Sequence, residues 1–467
     1  MQFYKFKLFN VITNFDKNMD APMEPVAYAT QLLTAAPPSC QQPLNKYLDA
    51  YQRRLFHPLA LAALELARRD EFAAALPDFF RHCILPIHDR IDPARLVDIA
   101  SAACTAILDA ASPDTATAVA AQASSLMNDV AQKLAPPRPH ALPQHIRALA
   151  LAVSYVLQQP NEVPLQEARE RLHECEAHLN SLGAGHGALG GVPADVHAAF
   201  YRASAQVSRR TRNWDAFYAS GMLYLACADL PTMSVTEKCD WVIALCIAAI
   251  AAKGIYVFGD LLTHPVMKEV EPVLTKQNDW RLALAKAMNA GSLAAFTKLS
   301  VHFKNEPAFL NKQDFLLDKV RLIAIMESAF ERTFSTASNS VVDDPEDAEM
   351  TSSEASRRIP LQQLASKIHV SVDQVEPIVM RALARDLIRG SIDQVDEVVV
   401  ITWVRPRYLD VKQLKVLRHR LSAWEARVRA VERSMHVQGK SEIPVADDSG
   451  ANFVGMKQTS HNPLAVA

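Results

Sequence analysis

Glycine is scarce in this chain, with only 13 residues in 467. Tight hairpins and large sheets draw on glycine for their left-handed turn positions, so this scarcity, beside abundant alanine, argues against a sheet-rich fold and for helices. Cysteine is sparse as well. Cys40, Cys83, Cys104, Cys175, Cys227, Cys239 and Cys246 are odd in number and include no Cys-x-x-Cys pair. They are expected to be reduced, partly buried thiols of an intracellular protein. Neither charge sign dominates, since the formal net charge is -2, and there is no global pull toward nucleic acid or anionic membrane. Long apolar runs are missing too. The longest, Trp241 to Ala252, has twelve residues between Asp240 and Lys253, which predicts a buried helix too short to span a bilayer.

Catalytic motifs are absent or fail in context. Gly-x-Ser-x-Gly does not occur, and no His-x-His is found among the 15 histidines. Gly185-His-Gly-Ala-Leu-Gly190 matches the dinucleotide fingerprint literally. That motif needs a strand delivering a turn into a helix, and here a helix ending near Leu182 precedes it, so the glycines are expected to end a helix. His173, Cys175 and His178 suggest a metal cluster, but on a helix the two histidines lie about 140° apart and cannot face one ion. Gly439-Lys440-Ser441 resembles the end of a P-loop, yet Ser434 stands where its first glycine should be. Scattered acids could still converge in three dimensions. No cofactor and no metal is expected.

What the sequence does contain is helical periodicity. With 49% hydrophobic residues it can bury large cores, and its length suggests two or three domains. Residues 1–20 are expected to be a disordered extension, because Met1 to Asn18 lacks the continuous apolar core of a signal peptide. Met19-Asp20 could equally be the natural start. From Leu44 to about Leu134 apolar residues recur at helical spacing, and Pro136-Pro-Arg-Pro139 with Pro143 marks a linker or corner. Further helices are predicted from Val163 to Leu182, Val196 to Ser208 and Trp214 to Ala228. Helix pairs without a strict repeat suggest a right-handed, tetratricopeptide-like solenoid over residues 21–230.

The helical pattern continues through 231–334, with Leu316, Val320, Ile323 and Phe330 on one helix face. Residues 335–356 carry Asp343, Asp344, Glu346, Asp347, Glu349 and Glu354 and are expected to form a disordered acidic loop. Residues 357–404 then change period in the order of a winged helix. Leu361, Leu364 and Ile368 mark one helix. After a break at His369 to Ser371, Val375, Val379, Ala382 and Leu383 mark a second, with Ser371 and Gln374 as its expected capping box. Pro377 inside that helix predicts a tightened first turn. A polar tip, Ser391 to Glu397, and the β-branched run Val398 to Val404 complete a wing. Asp373 and Glu376 on the second helix, and Asp393, Asp396 and Glu397 on the wing, would repel phosphates at both surfaces a nucleic-acid reader uses.

Several of these residues also carry a resemblance. Gly390-Ser-Ile-Asp-Gln-Val-Asp396, Thr402-Trp-Val-Arg-Pro-Arg407 and Leu409-Asp410 resemble the PCI domain of the 26S proteasome non-ATPase regulatory subunit 13 family. Phe258-Gly-Asp-Leu-Leu-Thr-His-Pro-Val266 and Asn289-Ala-Gly-Ser292 are similar to that family's inter-helix segments. The resemblance is close from about Ser234 to Met435; Pro377 and the acidic insert depart from it. It implies an all-α solenoid, a PCI domain over 231–404 with a small sheet, and a long C-terminal helix. It further implies a non-catalytic scaffold subunit of the regulatory-particle lid, cytoplasmic and nuclear, in a hetro-oligomer with other PCI and MPN subunits and possibly the ubiquitin-receptor subunit. No nucleic-acid and no membrane partner is implied. The missing His-x-His leaves the chain without the motif of the lid deubiquitinase. A PCI subunit of the COP9 signalosome or of a translation initiation complex, a winged-helix nucleic-acid adaptor and an unrecognised enzyme remain open at this point.

The last regular segment, 409–437, is a heptad helix. Leu414, Leu417, Leu421, Trp424, Val428, Val431 and Met435 alternate by three and four and need a partner surface, either the chain's own winged helix or another helix bundle. Under the resemblance these residues join the lid's helical bundle. Nine Lys or Arg against three acids between Arg405 and Arg433 favour an acidic neighbour. Residues 438–467 are expected to be a mobile tail.

Overall fold

The computed structural model describes residues 25–109, 116–135, 141–157, 165–185, 192–309, 312–339, 357–406 and 411–441. These residues are helical apart from one three-stranded sheet. They divide into two compact units: the residues up to Glu327 with Leu361–Leu387, and Ser328–Pro360 with the chain from Ile388 onward.

In the first unit, helices α1 (Pro25–Ala35), α2 (Pro38–Gln52) and α3 (Phe56–Ala67) lead into short turns over residues 70–90. Then follow α4 (Pro93–Asp109), α5 (Ala116–Leu134), α6 (Leu142–Val156), α7 (Leu165–Gly185), α8 (Ala194–Arg210), α9 (Trp214–Cys227) and α10 (Val235–Ala251). Neighbours in sequence pack together, α2 on α3, α4 on α5, α5 on α6, α8 on α9 and α9 on α10. Helical structure begins earlier than Leu44, because Pro25 and Pro38 each open a helix at the first position, where a missing N–H costs nothing. Between residues 70 and 90 regular helix gives way to 3-10 and π turns around Pro77 and Pro86. The segment is fixed by burial instead of periodicity, since Phe72, Phe79 and Phe80 are fully buried.

The chain then forms α11 (Met267–Lys276), α12 (Trp280–Asn289), α13 (Leu293–Leu299) and α14 (Gln313–Asn339). The backbone of residues 335–339 continues α14, correcting the expected loop start; nothing in that stretch breaks a helix. The acidic residues at 343–354, the glycine-rich stretch from His186 to residue 191, and residues 1–20 lie outside the described residues.

With so few glycines, helices end on other left-handed residues. Arg54, Arg212, Asn278, His369 and Asp386 all have positive φ. At each the following N–H reaches back five residues, as in Asn213 N to Ser208 O at 3.0 Å and Asp279 N to Leu274 O at 3.1 Å. This is the Schellman arrangement that satisfies terminal carbonyls. Two of these turns, and the one at Gly291, start the next helix at once: Asn213, Asp279 and Ser292 follow the left-handed residue, and their side chains accept from Ala216 N, Arg281 N and Ala295 N. Gly291 alone needs glycine here. At φ 63° a Cβ would meet the Ala324 backbone at 2.8 Å.

The C-terminus of α10 has no such turn, because Ala252 is extended at φ -67°, ψ 145°. A side chain satisfies its carbonyls instead. Lys319, fully buried on α14, donates from Nζ to Ala249 O at 2.7 Å, Ile250 O at 3.1 Å and Ala252 O at 2.7 Å. The rings of Tyr256 and Phe258 stand 5.6 and 5.4 Å from the same nitrogen. Three carbonyls match the three donors of an ammonium group, and the ring faces add cation–π attraction. Asp215 holds the next turn through Lys253 N and Gly254 N.

The winged-helix elements follow. Helices α15 (Leu361–Ile368) and α16 (Val372–Ala384) pack on each other in the first unit through Leu364, Ile368, Val375 and Val379, all fully buried. The expected capping box is not made, since Ser371 has the extended N-cap backbone but its side chain caps no N–H. The first turn instead closes by Gln374 N to Ser371 O at 3.0 Å, a three-residue step, ahead of Pro377. In the second unit β1 (Arg358–Pro360), β3 (Val398–Val404) and β2 (Ile388–Asp393) form an antiparallel sheet in the order β1-β3-β2. The register shifts between Arg389 and Gly390, where a Cβ on Gly390 would lie 2.0 Å from Val400 O. Only glycine fits that approach.

Burial pushes the Lys319 pKa down to about 7 from 10.5, with Asp215 opposing. The folded chain therefore sheds this proton at lower pH than the unfolded chain. The group's contribution to stability rises as pH goes from about 7 toward 10.5 and is least below 7. Lys319→Met should lower the melting temperature through about 1–3 kcal/mol of unsatisfied carbonyls. The variant should melt below wild type in parallel melts at neutral pH; an unchanged melting temperature contradicts this role.

Candidate assembly helix and winged-helix surface

Helix α17 (Val411–Ser441) has 31 residues and is about 46 Å long at 1.5 Å per residue. It runs four residues beyond the expected end at 437, through Gly439, Lys440 and Ser441, so that triplet is helical backbone and not a phosphate loop. Alanine, leucine, arginine and glutamate dominate its middle, and Glu425 pairs with Arg429 one turn on at 2.6 Å. The apolar stripe is uncovered. Trp424 is 62% exposed, Met435 67%, Leu421 56% and Val431 56%, Leu414 and Val428 are about half exposed, and Leu417 is half-buried. Within the second unit the described residues leave this face open. A lone Leu on a surface means little; here six large apolar side chains are exposed along one stripe.

The winged-helix surface is built differently from a nucleic-acid reader. Arg381 on α16 and Arg385 just after its end are engaged within the first unit. Arg381 Nη1 binds Asp318 Oδ2 at 2.6 Å, and Arg385 Nη1 donates to the Tyr256 hydroxyl at 2.5 Å while lying 5.8 Å from the ring. Asp373 is exposed at the helix start. In the wing, Asp393 Oδ1 accepts from Val395 N and Asp396 N at 3.1 and 3.2 Å, the side-chain-to-backbone bonding of a turn. Arg358 pairs with Asp396 at 2.8 Å and with Asp393 at 3.8 Å. The acids of the wing thus shape the turn and engage Arg358.

The other sequence candidates do not converge. His173 is exposed beside Glu176 at 3.9 Å, Cys175 is fully buried with Sγ toward Ile146 O, and His178 faces Glu174 at 3.7 Å. Among the described residues no group of three or more metal-ligating side chains comes together. Burial pushes the Cys83, Cys104, Cys175 and Cys246 thiols up to about 12, so they hold no thiolate at neutral pH. No described helix is long and apolar enough to cross a membrane. Two features escaped the sequence reading. Lys319 sits three residues after Leu316 on the apolar face of α14, a polar interruption that could have flagged it. The arginines at 209, 210 and 212 read only as a helix end.

A family model described as PSD13 N-terminal repeats matches residues 44–284, more than half of the chain. The chain belongs to the 26S proteasome non-ATPase regulatory subunit 13 family. A PCI domain model matches residues 310–403, covering α14 through β3. The Dictyostelium discoideum 26S proteasome non-ATPase regulatory subunit 13 is 26% identical over 419 residues, spanning 88% of this chain and 96% of its own. The homolog B from Arabidopsis thaliana is 26% identical over 84% of this chain and 93% of its own length. The Saccharomyces cerevisiae 26S proteasome regulatory subunit RPN9 is 28% identical over 59% of this chain and 63% of its own. The helical-repeat region, the PCI winged-helix order and the long C-terminal helix are thus the architecture of a family member.

With Arg381 and Arg385 committed within the fold, the purified chain should bind duplex DNA no better than a neutral control protein in low-salt filter binding. Micromolar affinity with a steep salt dependence, abolished by Arg381→Ala and Arg385→Ala, would contradict the surface reading.

Proposed function

We propose that this chain is a non-catalytic structural subunit of the lid of the 26S proteasome regulatory particle, supporting ubiquitin-dependent protein degradation. Family membership supports the assembly, and the uncovered heptad face of α17 supports the role. A stripe of this kind stays exposed only until a partner helix covers it. Burying seven such side chains at about 1.5–3 kcal/mol each gives on the order of 10–20 kcal/mol before ordering and association costs. In this reading α17 joins a helical bundle with other PCI and MPN subunits, and its basic residues face an acidic neighbour. The winged helix stands beside those of other PCI subunits, and the solenoid extends toward the ubiquitin-receptor side. The subunit would work in the cytoplasm and the nucleus, in a hetero-oligomer, without a cofactor of its own.

Replacing Leu421 and Trp424 by Asp places two charges mid-seam, where helix contact would have to desolvate them. The double variant should keep the melting temperature of the free subunit, because these side chains are already exposed, and it should drop out of lid purified through another subunit. Normal incorporation, or unfolding of the free subunit, would show that the helix serves the chain's own core.

A further inference from the structure

An open cleft of about 640 Å³ lies in the first unit, where the C-terminal ends of α6 and α8 meet the turn at 306–308. Leu157, Trp214, Pro307 and Ala308 supply apolar wall, and Arg209, Arg210 and Arg212 supply three positive charges. Arg210 has a structural task, donating from Nη2 to Leu157 O at 2.8 Å. Arg209 and Arg212 are exposed, and neither forms an ion pair among the described residues. The acids nearby are already engaged. Glu306, on the cleft wall, pairs with Arg281 at 3.4 Å, and Asp215, next to Trp214, accepts from Lys253 N and Gly254 N. The Gln206 carbonyl oxygen, also on the wall, is buried without a hydrogen-bond partner.

Attraction of basic residues to the end of α8 accounts for Arg209 and Arg210, which lie in its last turn. It does not account for Arg212, beyond the helix end, nor for an indole and an unpaired amide in the same cleft. We propose that this cleft is a docking site for an acidic polypeptide segment in which carboxylates alternate with aliphatic side chains. Carboxylates would take the guanidinium groups of Arg209 and Arg212, which bind them in fork geometry. An aliphatic side chain would lie against Trp214 and Pro307. Nucleic acid fits less well. A phosphate backbone needs a continuous basic track, whereas these arginines are confined to one cleft of a chain whose net charge is -2. The inference does not depend on lid membership.

The test uses the full-length chain and a fluorescent peptide alternating Asp or Glu with Leu, a matched peptide with Asn and Gln, and a short single-stranded RNA. The acidic peptide should bind, weaken as salt is raised, and lose at least about tenfold affinity in Arg209→Ala/Arg212→Ala, with the melting temperature unchanged. The Asn/Gln peptide and the RNA should bind at least about tenfold more weakly than the acidic peptide. A charge-reversed chain, Arg209→Glu/Arg212→Glu, should instead bind a Lys-Leu peptide. Absence of acidic-peptide binding, affinity indifferent to the double substitution, or RNA binding of equal strength lost with the same substitutions would each overturn the proposal.

Discussion

Every helix end leaves backbone carbonyls that must find donors, and in a chain nearly free of glycine this requirement organises much of the fold. Five ends, those of α2, α8, α11, α15 and α16, are closed by a non-glycine residue in the left-handed region, and after two of them the next residue caps the following helix. Such a turn reverses the chain in three residues and sets the pairwise stacking of the repeats. The end of α10 is closed differently. Its carbonyls converge on the buried Lys319 ammonium, so α10, α14 and the aromatic pair Tyr256 and Phe258 are fixed to one point. Tyr256 also receives Arg385 from just after α16, which ties the helix-turn-helix to the same cluster.

That internal use of cationic side chains separates this winged helix from a reader of nucleic acid. The order of elements is the same, and fold alone would not decide. The difference lies in where the arginines point: Arg381 to Asp318, Arg385 to Tyr256, Arg358 to the wing acids. The free interaction capacity is elsewhere, in the apolar stripe of α17. The chain is rigidly capped where it folds and left open where a helical partner can complete it.

Much of this was legible from residue patterns. The β-branched run at 398–404, the two short helices before it and the heptad stripe each follow one strong period, and each is present. Gly390 sits in the motif that carries the family resemblance, at a position that tolerates no Cβ. What was not legible had no local signal. The helix from Pro25 is diluted by small residues, the 70–90 segment is held by tertiary burial of Phe72, Phe79 and Phe80, and Ser371 keeps N-cap backbone geometry without its side-chain bond. Lys319 and the arginine cleft depend on elements far apart in sequence.

The central claim is that α17 is complete only in the assembly. Amide hydrogen exchange of residues 411–441, followed in the free chain and in the purified lid, tests it most directly. The account predicts fast exchange across the helix in the free chain and at least about tenfold slower exchange in the complex, strongest around Leu421 to Val428. Equal exchange rates in the two states would contradict it.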